Sequence, residues 1–272
     1  MRFIIEDDFD LGKIHNSGQC FRWEERRDGT YRIPGKEHCL RIRKTTDKEY
    51  EADCTEEEFS RYWRDYFDLA ENYESIRLRI EEGEDPFLHH AAEAEKGIRI
   101  LRQDPWETLV SFIISQNRNI PAIRRSIEWL CRIAGEQKLD RAGEEWYSFP
   151  SPEAVARAPE SDLALCRLGY RAPYVKAAAE SALHGDFDAA RLQNVPDDEL
   201  MEELTKLYGV GVKVASCVVL FGFHRLDAFP IDTWVRKVLD NEYPDGYPFE
   251  RYRPFNGVCQ QYMFACYRDR ER

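Results

Sequence analysis

The chain has no run of about eighteen apolar residues, the length at which a helix crosses a bilayer. Its opening, Met1-Arg-Phe-Ile-Ile-Glu-Asp-Asp, has no apolar stretch of the kind that heads an export signal. Membrane insertion and export are therefore not expected, and the cytoplasm is the expected compartment. The eight cysteines, at 20, 39, 54, 131, 166, 217, 259 and 266, show no paired spacing of the zinc type. Free, buried thiols are the expected state in a reducing compartment. No cysteine follows Cys259 and Cys266 up to Arg272, which disfavours an iron–sulfur cluster, and neither a metal nor a cofactor is expected. Low-complexity tracts and fixed-period repeats are absent as well.

A net positive charge is also missing. At −12 the balance at first argues against a polyanionic partner. The distribution of that charge removes the objection. Glu51 to Glu95 holds fifteen Asp or Glu against four Lys or Arg, a net of −11 that leaves the rest of the chain close to neutral. Basic spots stand in that remainder: Arg118, Arg124 and Arg125; Arg167, Arg171 and Lys176; and Arg251, Arg253, Arg268, Arg270 and Arg272. They are compatible with scattered surface charge and with an electrostatic footprint for nucleic acid.

With 272 residues the chain is long enough for a substantial core and two domains. From Phe3 to about Cys54, alternating segments such as Gln19–Trp23, Thr30–Ile33 and Cys39–Arg43 are punctuated by Asp28-Gly29 and Pro34-Gly35 and predict antiparallel hairpins. An acidic helix is expected after Thr55, with Glu58 completing a capping box. Helical signals dominate from Asp85. Asp104-Pro105-Trp106-Glu107 supplies an N-cap and a proline at N1, and Trp106, Leu109, Val110, Ile113 and Ile114 follow at helical spacing. Pro121 opens a helix that Gly135 ends. Ser151, Ser161 and Asp197 mark further starts, and Gly169, Gly185 and Gly209 further ends. The expectation is an α+β protein: a small antiparallel β-rich domain with an acidic helix over 1–95, then a mainly helical domain over 96–272.

Most of the chemistry is concentrated in Leu204-Thr-Lys-Leu-Tyr-Gly209-Val-Gly211-Val-Lys213-Val-Ala-Ser-Cys217, with Asp232 nineteen residues after the lysine. Gly209 and Gly211 permit positive φ and close backbone approach, so that N–H groups at a helix N-terminus can face a phosphate. Lys213 on the first helical turn opposes the helix dipole, and partial burial would add a desolvation penalty. Both favour the neutral, nucleophilic amine. Taken singly, a lysine such as Lys213 is most often a solvated surface residue, and Asp232 reads as an ordinary N-cap, a role that does not exclude facing a reaction centre. A dinucleotide-binding reading fails because the third glycine would fall at Val214, and a P-loop fails on spacing.

Leu207–Lys213 with Phe229-Pro-Ile-Asp232 resembles the helix-hairpin-helix and Gly-Pro-Asp signature of base-excision DNA glycosylases, the hairpin falling at about 200–222. Gly18-Gln-Cys-Phe-Arg-Trp23, Leu101–Pro105 running into Ser115–Ile120, and Leu168-Gly-Tyr-Arg-Ala172 resemble the 8-oxoguanine glycosylase/lyase branch, in family order across nearly the whole chain. The resemblance implies that Lys213 attacks the sugar C1′ and that Asp232 stabilises the positive charge developing there. It implies that Asn117 fills the hole left by a flipped base, while Tyr170 and Arg171 wedge the stack and contact the estranged partner. Gly18 is implied to accept from the N7 hydrogen of the lesion, Cys217 and Phe264 to sandwich the base, Gln260 to read its Watson–Crick edge, and Pro230 to form a wall. Gly209 and Gly211 are implied to hold DNA phosphate. The expected partner is duplex DNA containing 8-oxoguanine, bound by a monomer without cofactor.

Three positions depart from the eukaryotic pattern. Ala122 stands in place of a second arginine for the opposite cytosine, and Trp234 and Tyr267 in place of a His and an Asp. Tight cytosine specificity is put in doubt, and a bacterial or archaeal-type branch is suggested, with an aromatic packing where the ion pair sat. Two other readings stay open: a glycosylase for other oxidised or alkylated bases, against which Gly18 and Gln260 stand, and a noncatalytic DNA-binding module, which needs neither Lys213 nor Asp232.

Overall fold

The computed structural model describes residues 1–270, so Arg272 of the C-terminal basic group lies outside the described residues. Five strands near the N-terminus, β1 (Arg2–Ile4), β2 (Glu24–Glu25), β3 (Tyr31–Pro34), β4 (Cys39–Lys44) and β5 (Glu49–Ala52), form an antiparallel sheet in the order β1-β5-β4-β3-β2. The turn between β2 and β3 is closed by Asp28, whose carboxylate accepts from the Thr30 amide at 3.0 Å. In β3, Tyr31 and Ile33 point inward, as period-two alternation requires. With Leu40, Ile42, Tyr50, Trp63 and Phe67 they form one buried cluster.

The other cluster is helical. It includes Leu109, Val110 and Ile113 of the 105–115 helix, Val214 and Val218 of the 212–221 helix, and Val258 and Tyr262 of the 256–270 helix. Residues Tyr73, Ile76 and Leu88, although close in sequence to the sheet, pack into this second cluster. The 105–115 and 120–134 helices carry the expected prolines in their first turns. Asp104 accepts from Glu107 N at 3.0 Å and Asn119 from Ala122 N at 3.0 Å.

Several sequence expectations are corrected. Gln19–Trp23 is not a strand. Its alternation is real, but the segment runs between the clusters, Phe21 entering the helical one and Cys20 and Trp23 the other. The Gln19 side chain takes the place of a ladder, donating to Arg99 O and accepting from Leu101 N, both at 2.8 Å. Thr55 caps its helix by accepting from Glu58 N, but the Glu58 carboxylate turns away to Trp63 Nε1 and Arg141, so the capping box is half closed. The helix starts expected at Ser161 and Asp197 fall at Glu160 and at Asp197 itself, with Pro159 and Pro196 as N-caps. Gly185 ends its helix in the left-handed region, whereas Gly169 opens a short 3-10 turn and Gly209 follows two residues of linker. A helix over 11–16 and a small hairpin of β6 (Gln137–Leu139) with β7 (Glu145–Tyr147) carried no sequence signal strong enough to predict them.

Candidate active site

The hairpin over 197–221 is shaped by one glycine. Gly209 has φ +82°, and a Cβ there would lie 2.2 Å from Tyr174 Cγ, so the turn rests directly on the face of that ring. Gly211 corrects the expectation of a second left-handed residue. It caps the next helix at φ −91°, ψ 174°, and a Cβ there would meet nothing within 4 Å. No side chain caps this helix, whose first-turn amides therefore remain available to an anion.

Lys213 sits on that first turn, half-buried, with Nζ 5.2 Å from the centre of the Phe112 ring. Cys217 lies one turn further along. Burial pushes its thiol up, the neighbouring Lys213 amine pulls it down, and the Asp232 carboxylate pushes it up again. Lysine, thiol and carboxylate thus share one small volume. Asp232 caps the 233–242 helix with a single oxygen, Oδ1 accepting from Trp234 N at 2.9 Å and Val235 N at 2.8 Å. Its Oδ2 has no hydrogen-bond partner among the described residues. The capping and chemical readings of this carboxylate are therefore compatible.

Both groups face a cavity of about 960 Å³. Gly18, Cys217, Pro230, Gln260, Phe264, Asn117 and Gly211 line it too. At one end Gly18, φ +80°, lies against Phe264. A Cβ there would be 3.3 Å from the ring edge. The 256–270 helix brings Gln260, Gln261, Phe264 and Arg268 to this wall, and the Arg268 guanidinium lies 5.3 Å from the Phe264 ring centre while donating to Asn16 O. Gln260 donates from Nε2 to Pro230 O at 3.0 Å.

The rim is built from two loops. Asn117, at φ +51°, donates to the exposed Tyr170 hydroxyl at 3.1 Å. Arg171 is almost wholly buried. It donates through Nε to Gln116 O at 2.7 Å and through Nη1 to Leu168 O at 3.2 Å, and its face covers the Tyr170 ring at 4.3 Å. Arg118 makes the reciprocal crossing, donating to Ser126 Oγ at 2.6 Å and Arg167 O at 2.7 Å. Gln116 Nε2 reaches Gly209 O at 3.1 Å and ties the rim to the hairpin. The twelve site residues suggested by sequence thus gather in one place: nine line the cavity, Tyr170 and Arg171 brace its rim, and Gly209 shapes the turn beside it.

At the departures, Ala122 sits partly buried in the first turn of the 120–134 helix. Trp234 lines the cavity with Lys237 Nζ 4.7 Å from its ring centre, whereas the Tyr267 hydroxyl accepts from Asn241 at 2.7 Å. Trp234 and Tyr267 thus make separate contacts, one with Lys237 and the other with Asn241. Gln116, Arg118 and Gln261 join the site without having been assigned a site role from the sequence, although Gln116 and Arg118 fall in the Ser115–Ile120 stretch and Arg118 in a basic spot. The adjacency of Arg118 to Asn117, and of Gln261 to Gln260, was the available signal.

Residues 3–109 match the family model of the 8-oxoguanine DNA glycosylase N-terminal domain, and residues 110–243 that of HhH-GPD superfamily base excision DNA repair proteins. The N-glycosylase/DNA lyase of Saccharomyces cerevisiae is 30% identical over 268 residues, covering 88% of this chain and 70% of that protein. A probable N-glycosylase/DNA lyase of Methanothermobacter thermautotrophicus is 32% identical over 198 residues, 65% of this chain but 62% of the relative. Among solved structures, the 8-oxoguanine glycosylase/lyase of Clostridium acetobutylicum, bound to duplex DNA with cytosine opposite 8-oxoguanine, is similar with a TM-score of 0.90 at 34% identity over 100% of this chain and 99% of that one. A 3-methyladenine DNA glycosylase from Archaeoglobus fulgidus, at 18% identity and a TM-score of 0.76, shares the fold alone.

Proposed function

Because the chain belongs to the N-glycosylase/DNA lyase family of HhH-GPD base excision repair proteins, we propose that it removes 8-oxoguanine from duplex DNA and then cleaves the strand at the resulting site. The observation that carries this reading is the meeting of Lys213, Cys217 and Asp232 at the wall of one cavity large enough for an extruded base. The hairpin amides and the Asn117–Tyr170 rim hold the duplex, and the target base is turned out into the cavity. Departure of the base leaves positive charge on the sugar. The free Oδ2 of Asp232 stabilises it, held in place by the two amides that bind Oδ1. The Lys213 amine, once it has shed its ammonium proton, bonds to C1′ as the C1′–N9 bond breaks, the base leaves with the bonding pair and takes up the proton that the new C1′–N bond releases, and ring opening gives a C1′ imine. Removal of a C2′ proton then expels the 3′ phosphate by β-elimination. In the pocket, the Gly18 carbonyl accepts from N7–H, a donor that guanine lacks, and Cys217 and Phe264 hold the two faces of the base. The same reading takes the protein to be a monomer working in the cytoplasm on nucleoid DNA.

Incubation with a duplex carrying one 8-oxoguanine, with and without borohydride, tests this. A reducible imine gives a covalent protein–DNA adduct in the wild type and none in Lys213→Gln. Base release with no adduct under any condition would overturn the lysine assignment, and an untouched lesion would overturn the substrate.

A further inference from the structure

The buried amides of Gln260 and Gln261 form a polar chain whose orientation is set at one end. The Pro230 carbonyl only accepts, so the nitrogen of Gln260 must face it, as it does at 3.0 Å. The Gln260 oxygen then accepts from Gln261 Nε2, also at 3.0 Å. That fixes the second amide and leaves its oxygen over. Gln261 is 3% exposed, its Oε1 is buried without a hydrogen-bond partner, and its side chain belongs to the wall of the cavity. An orphaned buried carbonyl is costly, and a methionine or leucine of similar volume would avoid the cost.

We propose that Gln261 is a specificity residue for the base, its Oε1 accepting from a donor that enters with the ligand. This rests on the reading of the cavity as a pocket for an extruded base. Gln260 Oε1 keeps a second lone pair, so the two neighbouring oxygens present two acceptors. Their complement is a purine edge with two adjacent donors. A 2-amino-6-oxopurine offers N1–H and the 2-amino group side by side, whereas a 6-aminopurine offers a donor next to an acceptor. N1–H goes to Gln260 and the 2-amino group to Gln261. The dyad therefore selects the guanine skeleton, a task separate from the recognition of oxidation at C8 by Gly18.

A double cycle of protein and base tests the assignment in single-turnover excision. The wild type is expected to release 8-oxoguanine about tenfold faster than 8-oxohypoxanthine, which lacks only the 2-amino group, and Gln261→Met to bring the two rates within about twofold of each other. Gln261→Ala, smaller and equally without an acceptor, repeats the test if the methionine variant does not fold. An unchanged ratio in the variants, or a uniform loss on both bases, overturns the assignment and leaves the 8-oxoguanine reading standing. Release of neither base by the wild type overturns the reading itself and this inference with it.

Discussion

The Asn117 side-chain amide donates to the Tyr170 hydroxyl at 3.1 Å, joining two rim residues that lie 53 positions apart in the chain. Behind them Arg118 and Arg171 cross in opposite directions, each binding a carbonyl of the other's loop. These rim residues are therefore held together without DNA, which under the proposed function limits the ordering cost of binding. Tyr170→Ala should weaken binding to a duplex with a stable abasic analogue by about tenfold or more, the scale of one lost aromatic stack. Tyr170→Phe keeps the ring and loses only the Asn117 bond, so it should stay within about threefold of wild type. Equal losses in the two variants, measured by equilibrium titration, would make the hydroxyl rather than the ring the important part.

Asp232→Asn separates the two duties of that residue. Asparagine is as good an N-cap as aspartate, so the cap on the 233–242 helix should survive and the thermal midpoint should change little. Excision should fall by roughly 10²-fold or more, because one electrostatic contact to the developing charge is lost. Unchanged excision would leave Asp232 as a cap alone.

The two hairpin glycines should behave unlike each other. Gly209→Ala combines a left-handed φ with a Cβ driven into the Tyr174 ring, and should cost about 2 kcal/mol or more of stability. Gly211→Ala, extended and open to solvent, should stay within about 0.5 kcal/mol in denaturant unfolding while weakening DNA binding. Comparable destabilisation by both would contradict the geometry.

Much of this site was legible in the sequence because its residues combine scarce backbone requirements with local chemistry. Gly209, Lys213 and Asp232 sit at helix boundaries, which have strong local signatures. What stayed illegible depends on pairing across the fold. Gln19–Trp23 alternates like a strand, yet its partners are the Gln19 amide and two hydrophobic clusters rather than a neighbouring ladder. Arg171 suggests a base reader, but only the structure shows its guanidinium turned to Gln116 O. Gln261 carries no motif at all, and its orphaned oxygen appears only once Pro230 is seen to orient Gln260.

Acid should destabilise the fold through His15. Burial, with the Arg124 charge adding to it, lowers this imidazole from its ordinary 6.5 to about 4. Nε2 accepts from Arg124 Nη1 at 2.9 Å and is therefore unprotonated. The folded value is depressed, so the unfolded chain takes up the proton first. Stability is unaffected by this group above pH 6.5 and falls as pH drops toward 4, by up to about 3 kcal/mol. His15→Gln keeps an acceptor for Arg124 without titrating there, and should flatten that part of the curve in urea unfolding at stepped pH. An equally steep fall in the variant would assign the acid sensitivity to other groups.

The base opposite the lesion is expected to be read loosely. Two arginines together can donate to the acceptors of an estranged cytosine, but here one of those positions is Ala122. The two guanidiniums of the rim are already engaged: Arg171 with Gln116 and Leu168 carbonyls, Arg118 with Ser126 and the Arg167 carbonyl. Either would have to give up a protein acceptor to reach a base, which reduces the net gain from contacting cytosine. A good bidentate contact contributes about 1–3 kcal/mol of discrimination, so its absence should lower the preference for cytosine by about one to two powers of ten. Lesions opposite adenine, guanine and thymine should then also be cut at appreciable rates. Ala122→Arg places a new guanidinium on the first turn of the 120–134 helix, beside the rim, and should raise the cytosine preference. Single-turnover excision against all four partners measures both effects. Strict cytosine dependence in the wild type would mean that Arg118 or Arg171 leaves its carbonyl when DNA binds, and Arg118→Ala should then relax it.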